Sequence, residues 1–163
     1  MKVIELVSKE KSGITIMIFT EGTLIKHKAL WALYYFSSYR PIGNAVAIIK
    51  EWERQGANII YCTSRRNRQA KVIAQLLKKH GFIGTRLVYR EKKETYQHIV
   101  ETIKPTILIE DDCKSIGGTR MMCITNVAEE IKRDILSVVV PEFKGIDHLP
   151  ICLKELCTIS SSR

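Results

Sequence analysis

The sequence predicts an α/β three-layer sandwich, in which helices cover both faces of a central, mainly parallel β-sheet. Two observations predict this class. Short apolar runs rich in β-branched residues alternate with longer segments of helical periodicity, which is the pattern of strand–helix–strand units. In addition, three of the apolar runs end in polar clusters, and in such folds ligands bind at the C-terminal ends of strands.

Apolar runs identify the strands. "ITIMIF", residues 14–19, is continuously apolar and is followed by Gly22, which favours a buried strand entering a loop. The N-terminal "KVIELV" is a candidate edge strand. The strands predicted in this way span 14–19, 58–62, 85–90, 106–110 and 135–140.

Helical spacing of apolar residues fills the intervals between the strands. Val46, Ile49 and Trp52 have this spacing, and Gly56 is a typical C-terminal stop. Pro105 closes a later helix, because the residue before a proline disfavours the helical conformation. The predicted helices span 43–57, 67–81 and 91–104, and the aromatic stretch 30–36 is predicted as a buried or half-buried helix.

Length and composition bound the class of protein. The 163 residues, 45% of them apolar, predict one domain over 1–163, with a frayed tail at 158–163. The net charge of +9 favours anionic partners. Five cysteines without a C-x-x-C pair indicate reduced thiols, and no segment has the length of a membrane span, so we expect a cytoplasmic protein without membrane partners.

The polar clusters at the strand ends resemble, in order and spacing, the four motifs of the haloacid dehalogenase-like (HAD-like) superfamily. This family comprises Rossmann-type phosphatases and phosphotransferases that work through an aspartyl-phosphate, and the resemblance spans about residues 14–118. The matching residues, motif by motif, are Glu21, Gly22 and Thr23; Thr63 or Ser64; Lys92 or Lys93; and Glu110, Asp111 and Asp112. The resemblance implies a Rossmann-like fold with a site for phosphate and magnesium.

The resemblance also assigns roles, and the chemistry of the side chains agrees with them. Carboxylates of Glu21, Asp111 and Asp112 would hold Mg²⁺, which prefers oxygen ligands. Hydroxyl, backbone and cationic donors would bind the phosphoryl oxygens, with arginine suited to bidentate contacts. The predicted phosphate-binding residues are Thr23, Thr63, Ser64, Arg65 and Lys92.

The nucleophile of the family is missing. Its position, the first aspartate of the first motif, holds Phe19, and the first 110 residues contain no aspartate. Thr20 and Glu21 are the remaining catalytic candidates, but threonine needs an adjacent base and Glu21 takes the family's acid/base position. The standard covalent mechanism is excluded. Attack by a metal-bound water, a nucleophile from elsewhere and the absence of catalysis remain as alternatives.

The C-terminal third supports the same interpretation. The "TEGT" first loop, the "EDDC" and "SIGG" segments and the "GIDHLP" tail together are similar to a branch of the superfamily that combines these features. The missing aspartate would then be the pattern of the branch. His148 beside Asp147 is either a general base or structural, and Cys113 is either a reactive thiol or a small packed residue.

Structural interpretations compete with the functional ones. Glu21 could cap a helix, Glu110 could replace a neighbouring acid in a shifted register, and Lys92 with Lys93 could belong to an exposed helix face. The short insert at about 24–42 leaves room for a minimal helical cap only. An exposed aromatic surface on it would suit a homodimer.

Three functions follow as hypotheses. The first is a Mg²⁺-dependent phosphohydrolase that acts on a phosphoester or nucleotide by a non-standard route. The second is a catalytically inactive module that binds a small phosphorylated ligand or nucleotide, or that has a regulatory role. The third is a nucleic-acid binder that uses the basic surplus.

Overall fold

A computed structural model describes residues 1–11, 13–28 and 35–159. Its main feature is a six-stranded sheet in the order β1-β6-β5-β2-β7-β8, together with a two-residue ribbon of β3 and β4. The strands are β1 (Lys2–Glu5), β2 (Thr15–Phe19), β3 (Ile25–Lys26), β4 (Arg40–Pro41), β5 (Asn58–Cys62), β6 (Arg86–Tyr89), β7 (Ile107–Asp111) and β8 (Leu136–Val140). Neighbouring strands of the large sheet are parallel except for β1, which pairs antiparallel with β6 at the edge.

Helices cover both faces of this sheet, as the sequence predicts. They are α1 (Ala45–Arg54), α2 (Arg68–Lys79), α3 (Tyr96–Ile103), α4 (Cys123–Asn126), α5 (Glu129–Lys132) and α6 (Leu153–Leu156). Successive strand residues point to opposite faces. Ile16 and Ile18 therefore join one core cluster with α1, α2 and α6, whereas Met17 joins a second cluster with α3 and α4. The α/β three-layer, Rossmann-like fold class is confirmed.

One helix boundary differs from the prediction. Residues 91–95 lie outside the helix predicted over 91–104, because α3 begins only at Tyr96. Thr95 is its N-cap, and the Thr95 hydroxyl accepts a hydrogen bond from the His98 N–H, which is a preferred way to start a helix. Lys92 and Lys93 consequently lie in an exposed turn rather than at a helix start.

The short insert contains the β3–β4 ribbon and a 3-10 helix at Phe36–Ser38. Most of the helix predicted at 30–36 falls outside the described residues; Tyr35 is 68% exposed and Phe36 is buried. The minimal cap and the single domain over 1–163 stay predictions, and most of the tail 158–163 is likewise outside the described part. No described helix has the length and apolarity needed to cross a membrane.

The "GIDHLP" segment packs against α1. The Asp147 carboxylate accepts hydrogen bonds from the backbone N–H of Asn44, at 2.8 Å, and from its side-chain amide, at 3.4 Å, directly before the helix starts. The Trp52 indole in α1 donates to the carbonyl oxygen of Pro150 at 3.0 Å. Asp147 therefore has a structural role, because a negative charge near the N-terminus of a helix stabilises that helix.

Candidate functional site

The site lies at the C-terminal edge of the sheet. β2 runs between β5 and β7, parallel to both, so the loops after these three strands emerge side by side. The segments beginning at Thr20, Thr63 and Asp112 therefore meet, although they are far apart in the sequence. This arrangement brings together most of the candidate residues from the first, second and fourth motifs.

Glu21 lies at the centre of the first two motifs. One oxygen of its carboxylate accepts a hydrogen bond from the Thr63 hydroxyl at 2.5 Å. The other accepts from the Ser64 backbone N–H at 3.0 Å, the Ser64 hydroxyl at 3.2 Å and the Thr20 hydroxyl at 2.9 Å. Two of the residues that the resemblance assigns to a phosphoryl group, Thr63 and Ser64, thus donate to a carboxylate of the chain itself.

Three other acids form a cluster beside this network. Asp111, Asp112 and Glu142 each offer a carboxylate oxygen, and these oxygens lie within 4.8 Å of one another. Asp111 and Asp112 were predicted as metal ligands, whereas sequence reasoning missed Glu142. The available signal was its place just beyond β8, the strand next to β7, where its loop joins the same edge of the sheet.

Backbone and hydroxyl donors hold the cluster in place. Asp111 accepts from the Cys113 N–H at 2.9 Å, and Asp112 accepts from the Glu142 N–H at 3.2 Å. The Ser115 N–H and hydroxyl donate to the two oxygens of Glu142 at 2.8 and 2.6 Å. These bonds fix the positions of the three acids relative to one another.

The electrostatics of the cluster fit a hard divalent cation. Burial raises the pKa of Asp111, and the nearby charge of Glu142 raises it further, against the lowering effect of the Cys113 N–H. A cation would offset this repulsion between carboxylates. Three oxygen ligands on separate side chains are also the donor type that Mg²⁺ prefers.

Gly22 makes the close approach of these loops feasible. Its φ of +81° is a left-handed conformation that favours glycine. A Cβ atom at this position would lie 2.6 Å from Oδ2 of Asp111. The same oxygen accepts a long hydrogen bond of 3.5 Å from the hydroxyl of Thr23, which turns toward the acidic cluster.

Glu110 points away from the cluster. Its carboxylate accepts hydrogen bonds from the backbone N–H groups of Cys123 and Ile124, at 2.6 and 2.9 Å. Burial raises the pKa of Glu110 to about 7 despite these two bonds, and the neighbouring charge of Asp111 adds to the effect. The shifted register, in which Glu110 would replace Asp111 or Asp112, is therefore not the one seen in the structure. Glu110 is not a member of the cluster of three carboxylates.

The raised pKa of Glu110 predicts a pH-dependent stability. Between the usual pKa near 4.5 and about 7, the unfolded chain releases this proton while the folded chain retains it. The free energy of unfolding should therefore fall as the pH rises from about 4.5 to about 7 and level off above 7, by at most about 3 kcal/mol from this group. Denaturant titrations between pH 5 and 8 in EDTA measure the effect, with Glu110→Gln as the matched neutral variant. Equal pH profiles for the two proteins would contradict the prediction.

A cavity of about 280 Å³ opens above these residues. Phe19 forms part of its wall and packs edge to face against Tyr96, with ring centroids 5.5 Å apart. Phe143 and His27 line it as well, 5.4 Å apart between ring centroids. Sequence reasoning missed His27 and Phe143, because no motif marks them and only the folded loops bring them to the site.

The charges around the cavity are mainly negative. Glu21, Glu110, Asp111 and Glu142 line it, and Arg65 is its sole lining cation among the described residues. The Arg65 guanidinium lies over the Phe36 ring, 4.5 Å from the centroid. An anionic ligand in this cavity would therefore meet repulsion unless a cation is bound.

Three other candidates stand apart from this chemistry. Lys92 and His148 are exposed, and neither lines the cavity. Cys113 does line it, but burial and the nearby Asp111 raise the pKa of its thiol to about 12. The thiol is therefore protonated at neutral pH, which favours the packed role of Cys113 over the reactive one.

The fold and the order of loops at the sheet edge define an α/β protein of the HAD-like class. A family model described as "PITM 1-3, LNS2 domain" matches residues 18–111, which is more than half of the chain. The chain belongs to this LNS2-domain family. The match begins within β2 and ends with β7, so it covers the first three motifs and the first two acids of the fourth, Glu110 and Asp111.

Among solved structures, a chain of an RNA repair complex has a similar fold. A chain from the Pnkp1/Rnl/Hen1 RNA repair complex is 13% identical with a TM-score of 0.54, over 83% of this chain and 46% of that one. This protein thus spans about half the length of that relative. A D,D-heptose 1,7-bisphosphate phosphatase from Burkholderia thailandensis is 8% identical with a TM-score of 0.46, over 81% and 94% of the two chains. No curated protein matches the sequence significantly.

Proposed function

We propose that this protein is a HAD-like module that binds a small phosphorylated ligand with the help of a divalent cation, without forming an aspartyl-phosphate. Two observations on the first loop carry the proposal: Phe19 occupies the end of β2, and the Glu21 carboxylate engages the hydroxyl and backbone donors of Thr63 and Ser64. The ring of Phe19 lies where the family has its nucleophile. The Glu21 carboxylate binds the donors that would otherwise bind the transferred phosphoryl group.

The cation site of this proposal comprises Asp111, Asp112 and Glu142. Asp111 and Asp112 are the acids that the resemblance implies, and Glu142 takes the third position because Glu21 faces Thr63 and Ser64 instead. Mg²⁺ bound there would supply the positive charge that the acidic cavity lacks for holding phosphoryl oxygens. The residues of the chain orient the three carboxylates through the N–H groups of loops 112–115 and 141–142.

Calorimetric titration with Mg²⁺ tests this site. We expect Asp112→Asn to weaken Mg²⁺ binding by at least about tenfold, because it removes one charged ligand from the cluster. Asp134→Asn is the matched control, since Asp134 is exposed and lies outside the cluster. Equal Mg²⁺ affinity in the wild type and Asp112→Asn, or no Mg²⁺ binding in the wild type, would overturn the cation site.

A second candidate function is Mg²⁺-dependent hydrolysis of a phosphoester or nucleotide. It is favoured by the closeness of the first loop to the acidic cluster, where Gly22 packs directly against Asp111. A panel of phosphomonoesters and nucleotides distinguishes the two functions. Phosphate release that requires Mg²⁺ and is lost in Asp112→Asn would replace the binding function by hydrolysis, whereas binding without release supports the module.

A further inference from the structure

A second cavity, of about 340 Å³, lies beside the first. Tyr96, Met121 and Cys123 line both cavities, so the two spaces share a wall. Its charge is opposite to that of the first cavity. Arg90 and Arg120 line it, and no carboxylate does among the described residues.

Neither arginine is neutralised within the described part of the chain. Arg90 and Arg120 form no ion pair with a carboxylate there. The guanidinium of Arg90 lies over the Tyr96 ring, 5.1 Å from the centroid, and donates one hydrogen bond of 3.3 Å to the carbonyl oxygen of Glu94. Its Nε atom is buried and has no partner among the described residues. The remaining N–H groups of this guanidinium face no carboxylate among the described residues, so the position favours an anion.

The backbone adds to the positive potential. α3 begins at Tyr96, and the residues around its start, Thr95 to Gln97, line the second cavity. The N-terminal end of a helix carries partial positive charge and favours anions. The contribution is secondary to that of the two arginines, but it has the same sign.

The first cavity, in contrast, offers few free donors to an anion. Glu21 engages the hydroxyl of Thr63 and both donors of Ser64, and the acidic cluster repels anions unless a cation is present. A phosphate group entering this edge of the sheet would therefore meet unopposed positive charge in the second cavity.

We propose that the second cavity is an anion-binding site that takes a phosphate group of the ligand without a metal ion. The inference rests on the proposed function in one respect, namely that the ligand is phosphorylated. It extends that function by assigning a phosphate position outside the superfamily motifs, at Arg90 and Arg120. The ligand class is thus a phosphate ester with two phosphate positions, one at the cation site of the first cavity and one next to the Tyr96 ring.

Titration of the full chain with inorganic phosphate tests the site, in EDTA and against chloride at matched ionic strength, followed by amide NMR shifts. We expect saturable shifts at Thr95, Tyr96 and Gln97. Arg120→Gln should weaken phosphate binding about tenfold or more, since a charge-assisted hydrogen bond is lost. Arg120 is exposed, so this variant should fold, and Arg133→Gln is the matched control on an exposed arginine outside both cavities.

The outcomes separate this inference from the proposed cation site. Unchanged phosphate affinity in Arg120→Gln, shifts confined to Ser64, or no saturable shift would overturn the inference. Arginine-dependent phosphate binding in EDTA together with no Mg²⁺ binding would support the inference and overturn the cation site. Mg²⁺ binding that Asp112→Asn abolishes, without arginine-dependent phosphate binding, would do the reverse.

Discussion

Replacement of Glu21 by alanine is expected to create a phosphate-binding position that the wild-type chain lacks. The change removes a negative charge and frees the Thr63 hydroxyl, the Ser64 N–H and the Ser64 hydroxyl, which all now donate to Glu21. Three donors that converge on one point can bind the oxygens of a phosphate group. Hydrogen bonds to a charged acceptor contribute more binding free energy than hydrogen bonds between neutral groups. We expect the affinity for inorganic phosphate at this loop to rise more than about tenfold when Mg²⁺ is present to offset the acidic cluster.

Residue-specific NMR shifts distinguish this new position from the second cavity. In Glu21→Ala the Ser64 amide should shift saturably with phosphate, whereas in the wild type it should not. Glu21→Gln is the control, because its single amide oxygen can keep accepting from the Ser64 N–H and hydroxyl after the charge is removed, while the amide NH2 faces the Thr63 hydroxyl. If the Ser64 amide of Glu21→Ala does not shift with phosphate, the Glu21 carboxylate does not occupy a phosphate-binding position in the wild type.

Replacement of Trp52 by alanine is expected to cause the largest loss of stability, about 3–5 kcal/mol. The Trp52 side chain is fully buried between α1 and the sheet, in the core cluster that also contains residues of α2 and α6. Alanine would leave a cavity there and would also remove the bond from the indole N–H to the carbonyl oxygen of Pro150. The loss would loosen the attachment of the "GIDHLP" segment to α1.

Denaturant unfolding of two variants separates packing from hydrogen bonding. Trp52→Phe retains most of the buried ring but lacks the indole N–H, so it should cost less, about 1–3 kcal/mol for the unpaired Pro150 carbonyl. Both variants should unfold with the wild-type dependence on denaturant if the folded state is kept. A cost below about 1 kcal/mol for Trp52→Ala would contradict its assigned place in the core.

Much of the fold could be predicted because its signals are local. The strand predicted at 58–62 coincides with β5, and the helices predicted at 43–57 and 67–81 contain α1 and α2. The start of α3 was misplaced, since the helical period of residues 91–104 hid the capping position of Thr95. Capping depends on one hydrogen bond at one residue, whereas periodicity averages over a whole segment.

The candidate site was predictable only in part. The motif order correctly brings Glu21, Thr63 and Ser64 to one edge of a parallel sheet, because the ends of neighbouring parallel strands meet there. Glu142 and His27 carried no motif, and their loops come from β8 and from the β3–β4 ribbon. Their proximity to the site depends on the order of strands in the sheet.

The sequence by itself determined the α/β class and excluded an aspartyl nucleophile, because the end of the first apolar strand is Phe19 and the first 110 residues contain no aspartate. Only the tertiary structure decided which partners the acids take. Glu21 lies 42 residues from Thr63, and Asp111 lies 31 from Glu142, so neither contact follows from local spacing. Whether a carboxylate binds a hydrogen-bond donor or a cation depends on the groups around it. Those groups come from loops that meet only when the sheet has formed.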